Sequence, residues 1–286
     1  MPALLFSEPR KTYLEKKTMN RLFTKIHALA FQLRMFLRNG SVHRYEYAVE
    51  MSSDTAAANV VRMVGTGRKV LEIGAGPGSI TRLLSRQNQC EVTAIELDDS
   101  AIEKLGEFCK RIIKIDLNTA DWRDALSDDG PFESIVIADV LEHLVDPWQA
   151  LAAARSLLAR DGELIVSLPH VGHNAIVACL LNADFEYRDF GLLDRTHIRF
   201  FGIKNIQRLF QDANLKIVEA RFVIRTPERT ELAAQWNMLS DDDLRTILAR
   251  NPYGNIYQVV VKVVAADGID SGLDLTRLTA INKPSS

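Results

Sequence analysis

The apolar positions of this chain alternate between two textures. Short apolar runs at 70–73, 92–95, 111–117, 132–139, 162–169, 216–224 and 256–264 read as strands, the first of them a buried one. Between them fall apolar positions at helical spacing, as at Ile80, Leu83 and Leu84. Strand and helix taken in turn predict an α/β fold with a doubly wound, mostly parallel sheet. In such sheets ligands sit beyond the carboxyl ends of the strands.

Those ends carry acids. Glu72, Glu96, Asp116 and Asp139 all fall there, although strands disfavour Asp and Glu. After the first run come Gly74, Ala75, Gly76, Pro77 and Gly78, and a helical pattern follows directly. Glycine lets the backbone turn sharply and approach a ligand closely. The N–H groups of the next helix would point into that turn. Strand, glycine turn and helix together make a nucleotide-binding device. Glu96 stands where a carboxylate accepts hydrogen bonds from ribose hydroxyls. Glu72 would repel a pyrophosphate and attract a ligand bearing an amino group and a sulfonium.

The G-x-G-x-G run behind Glu72 resembles the first motif of class I S-adenosylmethionine (SAM) methyltransferases. The resemblance implies a Rossmann-like, seven-stranded sheet whose last two strands form a closing antiparallel hairpin, spanning residues 45–265. It implies SAM as cofactor, with Glu72 at the methionine end and Asp116 beside the adenine. Gly74, Ala75, Gly76, Gly78, Glu96, Leu97, Leu117 and Asp139 complete the implied cofactor site. A nucleotide-dependent oxidoreductase is the rival enzyme class, against which Glu72 and the glycine spacing weigh. A catalytically inactive SAM-fold binding partner is the other alternative, marked by SAM binding without turnover.

Composition narrows the partners. The chain has 286 residues, 47% of them hydrophobic, with a formal net charge of −2. Nucleic acid is thus disfavoured as a partner, and no Asp/Asn-Pro-Pro-Tyr run follows the fourth strand to suggest base methylation. Cys90, Cys109 and Cys179 show no paired spacing, which argues for reduced thiols in the cytoplasm. No apolar run reaches membrane-spanning length and no signal peptide is visible. Nothing in the sequence sets the oligomeric state.

Residues 1–44 are the outlier, with nine Lys and Arg against two Glu. Met19, Leu22, Phe23, Ile26, Leu29, Leu33, Phe36 and Leu37 recur at helical spacing, with Arg21, Lys25, Arg34 and Arg38 mainly off the stripe. This basic amphipathic helical extension either packs on the domain or makes peripheral membrane or partner contact through residues 19–38. Two acceptor-side insertions are expected, at 170–214 and 225–255, the second holding a short helix capped by Ser240. Residues 266–286 read as a polar, frayed tail.

Candidate chemistry sits after the fourth and fifth strands. Asp139, Glu142 and His143 resemble the D/E-x-x-E-H stretch of many small-molecule methyltransferases, including the ubiquinone-biosynthesis O-methyltransferases. On a helical turn the three would share a face and could hold Mg²⁺ or another divalent ion. The alternative is a set of first-turn capping groups. Pro169 to Asn174 and Gly191 to Phe201 resemble blocks of a bacterial methyltransferase subgroup associated with cell-surface glycan synthesis. Here His170 replaces the subgroup's usual asparagine. The implied acceptor is a glycan, a lipid-linked intermediate or another small molecule. His197 is the first candidate base for a hydroxyl, with Asp194 as the group that would orient it. His143, His170 and His173 compete, and Phe200 and Phe201 read as core.

Overall fold

A computed structural model describes residues 45–119, 122–239, 241–266 and 272–277. The expected basic helix over 19–38 and the Ser240 cap lie outside the described residues. Seven strands form one sheet: β1 (Lys69–Ile73), β2 (Glu91–Glu96), β3 (Arg111–Lys114), β4 (Phe132–Ala138), β5 (Leu158–Pro169), β6 (Leu215–Ile224) and β7 (Ile256–Ala265). Their order is β3-β2-β1-β4-β5-β7-β6. The first five are parallel, and β7 runs antiparallel between β5 and β6.

Alternate residues of the inner strands enter two cores, because successive side chains of a strand point to opposite faces. Leu71, Ile73, Ile135, Ile137, Leu164 and Val166 join one apolar cluster, and Val70, Val136 and Ile165 join another. Helix α1 (Ala56–Val64) precedes β1, and α2 (Thr81–Arg86), α3 (Asp99–Leu105), α4 (Pro147–Ser156), α5 (Asn174–Leu181) and α6 (Ile203–Asp212) lie between successive strands. Val60, Val61 and Ile176 of α1 and α5 fill the second cluster, and Leu151, Ile206 and Phe210 of α4 and α6 fill the first. Covering both faces is what lets a parallel strand be apolar throughout.

Three expectations change. The stretch 170–214 is not one insertion: α6 is an ordinary crossover helix, with Ile203, Ile206, Gln207, Leu209 and Phe210 buried along one side. The second insertion carries α7 (Ala233–Met238) and α8 (Asp242–Ala249), and the cap of α8 is Asp241, whose carboxylate accepts from the Asp243 and Leu244 N–H groups. The tail is not frayed throughout. Leu275 is fully buried, the Leu273 N–H donates to the Ile217 carbonyl at 2.7 Å, and Gln207 accepts from the Leu275 N–H at 2.9 Å. Leu273 and Leu275 pack against the core, and these bonds hold the segment on β6 and α6.

The strand order reverses between β1 and β4, which are neighbours though two strands separate them in sequence. Crossovers on the two sides of this point cover opposite faces and leave a crevice at the carboxyl ends of β1 and β4.

Candidate active site

The glycine turn opens that crevice. Gly74, Gly76 and Gly78 have φ of +72, +55 and +89°, a region that side-chain-bearing residues rarely adopt. A Cβ at Gly74 would stand 2.6 Å from Val140 Cγ2, whereas one at Gly76 would meet nothing within 4 Å. The turn therefore packs against the loop after β4 at Gly74 and opens outward at Gly76. Gly74→Ala is expected to lower stability by about 1–3 kcal/mol, readable as a lower denaturation midpoint. An unchanged midpoint would mean the turn relaxes freely.

Glu96 ties this turn to the end of β2. Its Oε2 accepts from the Gly76 N–H at 2.7 Å, and Oε1 accepts from the Leu97 and Asp98 N–H groups at 2.7 and 2.9 Å. A carboxylate offers about four lone-pair positions, so Oε2 keeps one for a ribose hydroxyl. Leu97 is half-exposed beside it. Glu96→Ala removes charge-assisted bonds worth about 1.5–3 kcal/mol. The expected result is SAM binding weakened on the order of tenfold to a hundredfold, measured by calorimetry.

Glu72, on β1, is buried, and its Oε2 has no hydrogen-bond partner among the described residues. Burial pushes its carboxyl up to about 8; the Thr81 hydroxyl pulls the other way, and the Glu96 carboxylate adds to the rise. A carboxyl in this state is uncharged at neutral pH, and a cation brought beside it would favour its ionised form. Tyr47 borders the same space. Although the residue is half-exposed, its phenol is pushed above its ordinary value by the desolvation of its inner side and then by the Asp139 and Glu72 carboxylates. The Tyr47 N–H donates to Ser79 Oγ at 3.1 Å, beside the glycine turn. Tyr47 lies far upstream of the motif and carries no sequence signal of its own.

Asp116 follows β3 and accepts from the Asn118 N–H at 2.9 Å, while Asn118 Oδ1 accepts from the Val145 N–H at 2.8 Å. This couples the β3 and β4 loops. Leu117 packs against the core beneath them.

Beyond β4 the expected trio is rearranged. Asp139 has φ +53° and precedes the 3₁₀ turn Leu141–His143, so it does not share a face with Glu142 and His143. Its Oδ1 accepts from Ser167 Oγ at 2.8 Å, and Gln258 Nε2 lies 3.0 and 2.9 Å from its two oxygens. Burial raises its carboxyl, while Ser167 and Gln258 lower it. Gln258 escaped sequence reasoning because it begins β7. Only the antiparallel placement of β7 beside β5 brings it to this end of the sheet, opposite Pro169.

His197 takes the place expected for Asp139. Glu142, His143 and His197 each offer a ligand atom within 4.8 Å of the others. His197 Nε2 lies 3.9 Å from Glu142 Oε1, and the two imidazoles meet edge to face at 4.9 Å between centroids. Glu142 is buried, and neither of its carboxylate oxygens has a hydrogen-bond partner among the described residues. Burial, then Asp139, pushes its carboxyl well above the usual range, with Asp194 adding to the rise against a backbone hydrogen bond. His197 is held below its ordinary value by burial, against Asp194 and the Leu192 carbonyl, so its ring is neutral at neutral pH. Two imidazoles and one carboxylate suit Mg²⁺ poorly, since that ion prefers an all-oxygen shell.

The hydrogen bond that orients the His197 ring runs to the backbone, and Asp194 acts through the turn. Its Oδ1 accepts from the Thr196 N–H and hydroxyl at 2.8 and 2.7 Å, while His197 Nδ1 meets the Leu192 carbonyl at 3.3 Å. Asp194 instead shapes the turn that delivers His197. His170 and His173 are structural: His170 Nδ1 meets the Ile256 carbonyl at 3.2 Å, and His173 caps α5 through the Ala175 N–H. Burial, against the Ile256 carbonyl, takes His170 down to about 4. Phe201 is core, but Phe200 is half-exposed and meets Phe185 edge to face at 6.3 Å.

The sheet order, the glycine turn and the acidic strand ends define a class I SAM-dependent methyltransferase. The chain belongs to the methyltransferase domain family, whose pattern it matches over residues 44–220. It is 31% identical to a ubiquinone biosynthesis O-methyltransferase of Xylella fastidiosa over 138 residues, covering 44% of this chain and 55% of that one. It is 18% identical to the mitochondrial ubiquinone biosynthesis O-methyltransferase of Dictyostelium discoideum over 211 residues, covering 70% of this chain and 64% of that one. The chain thus spans only about half to two thirds of these relatives. Its fold is similar to that of a SAM-dependent methyltransferase from Archaeoglobus fulgidus, with a TM-score of 0.50, 15% identity, and 72% and 91% of the two chains covered. Among the described residues no helix is long and apolar enough to cross a membrane.

Proposed function

We propose that the protein transfers the methyl group of SAM to a hydroxyl oxygen of a glycan, a lipid-linked intermediate or another small metabolite in the cytoplasm. The observation that carries this reading is the Glu142–His143–His197 cluster just past β4, with Glu142 and His197 buried, beside the strand that carries the buried Glu72 carboxyl. A sulfonium methyl is already activated, so positioning the nucleophile in line can supply roughly 7–11 kcal/mol of the barrier. As the carbon–oxygen bond forms, the carbon–sulfur bond breaks and its electrons stay on sulfur. The hydroxyl must shed its proton, and the cluster offers neutral imidazole nitrogen to take it. Similarity to enzymes named as O-methyltransferases favours oxygen as the accepting atom. The glycan option rests on the 169–174 and 191–201 blocks.

Incubating the protein with methyl-labelled SAM and a total metabolite extract tests this. The expected result is S-adenosylhomocysteine together with label in an ether that survives alkali. SAM binding without any labelled product would point to a non-catalytic partner. NAD binding without SAM binding would overturn the reading.

A further inference from the structure

The imidazole of His197 is aimed by a carbonyl, and that carbonyl is itself held in place. His197 Nδ1 meets the Leu192 carbonyl at 3.3 Å. A carbonyl can only accept, so Nδ1 carries the hydrogen and the lone pair lies on Nε2. Nε2 is the nitrogen that faces Glu142 in the site, at 3.9 Å. The position of Leu192 therefore decides which ring nitrogen can take a proton. Leu192 is buried, so its own N–H needs an acceptor inside the protein. It donates to Glu231 Oε1 at 2.6 Å. The other oxygen of Glu231 accepts from the Tyr257 hydroxyl at 2.9 Å, and Tyr257 is buried on β7. The Arg225 guanidinium lies 4.4 Å over the Tyr257 ring and restrains it in turn.

Three distant stretches thus meet on one carboxylate: β7, the segment just before α7, and the turn that delivers His197. Gly191 makes room for it. Its φ is +86°, and a Cβ there would stand 2.1 Å from Glu231 Oε1. We propose that Glu231, held by Tyr257, is a positioning residue for methyl transfer. It fixes Leu192, whose carbonyl holds the His197 ring with Nε2 ready to receive the proton of the acceptor hydroxyl. Hydrogen bonds to a carboxylate are stronger than neutral ones, which suits a brace. Misplacing a reacting group by about 1 Å can cost on the order of 10²-fold in rate, so a brace remote from the acceptor still counts. The segment between β6 and β7 then has a task, which is to support the base from behind. The orienting role stands on these bonds alone; its bearing on catalysis rests on the methyl-transfer reading above.

The test uses the full chain with isotope-labelled histidine and proton–nitrogen NMR, the His197 signals being those that vanish in His197→Ala. We expect the His197 hydrogen on Nδ1 in the wild type and a mixture of both tautomers in Glu231→Ala. In that variant, label transfer from methyl-labelled SAM into the metabolite extract should slow by roughly 10²-fold, with SAM affinity by calorimetry unchanged. Glu231→Gln keeps an acceptor for the Leu192 N–H and should recover most of the rate and the Nδ1 tautomer. Tyr257→Phe should show a smaller loss of both. A wild-type His197 with its hydrogen on Nε2 would overturn the proposal, a result that needs no variant to fold. So would Glu231→Ala with the wild-type spectrum and rate, equal losses of rate and SAM affinity in it, or a Glu231→Gln variant no better than Glu231→Ala. Should Glu231→Ala not fold, Tyr257→Phe carries the test, and an unchanged His197 spectrum and rate there would overturn the proposal. A wild type with the expected tautomer, lost in Glu231→Ala, that turns over nothing would sink the methyl-transfer reading and leave Glu231 as the group that orients His197.

Discussion

His197→Ala should cut kcat by about 10²–10⁴, the usual worth of assistance to proton removal, while SAM affinity stays nearly unchanged. The separation follows from position. His197 reaches the site from the segment after β5 and touches Glu142 and His143, whereas the groups expected to hold the cofactor, Glu72, Gly76 and Glu96, lie on β1, its turn and β2. Label transfer from methyl-labelled SAM measures the first quantity and calorimetry the second. A rate loss below about fivefold, well under that range, would remove His197 from the chemistry. Equal losses of rate and SAM affinity would mean that the substitution disturbs the fold. Asp194→Asn should cost less, because Asp194 accepts from Thr196 and shapes the turn before His197, whose Nδ1 meets the Leu192 carbonyl.

Glu72→Gln should weaken SAM binding on the order of 10²–10³-fold, since removing one member of a buried charge pair costs about 2–5 kcal/mol. Its pH signature is sharper than its size. In the folded protein without ligand the Glu72 carboxyl sits at about 8, against an ordinary 4.5. The unfolded chain therefore loses this proton first, and the contribution to stability present below about 4.5 is lost as pH rises toward 8. A bound cation requires the ionised carboxylate, so SAM binding below pH 8 releases a proton. Affinity should climb by up to about tenfold per pH unit between about 5 and 8, then level off. The titratable groups facing Glu72 are Glu96, Tyr47 and Cys109. Glu72→Gln should flatten the profile without lowering the stability of the ligand-free protein. An identical pH slope in wild type and variant would show that Glu72 is not the group that titrates.

Local pattern carried most of the fold. Seven apolar runs separated by helical spacing give the strands, and glycines at 74, 76 and 78 give the turn, because a left-handed backbone is needed at each. The same reading misplaced the edges. It took α6 as insertion and residues 272–277 as tail, since a few buried residues such as Leu275 leave almost no periodic signal. It also placed Asp139, Glu142 and His143 on one helical face, which assumes an α-helix. Asp139 lies in a left-handed conformation ahead of a 3₁₀ turn, so the spacing argument does not apply.

By itself, then, the sequence determined the sheet, the turn and the acids at the strand ends, because each lies within one strand-turn-helix unit whose geometry is local. Only the tertiary structure decided the acceptor side. Glu142 and His197 meet because backbone bonds join the loop after β4 to the segment after α5. Gln258 reaches Asp139 because β7 runs antiparallel beside β5, which brings the start of a strand to the end of its neighbour. Tyr47 faces Glu72 because the chain before α1 passes along the glycine turn. Such contacts join residues far apart in the chain, and pairing across that distance is set by packing and strand direction, which no local spacing records.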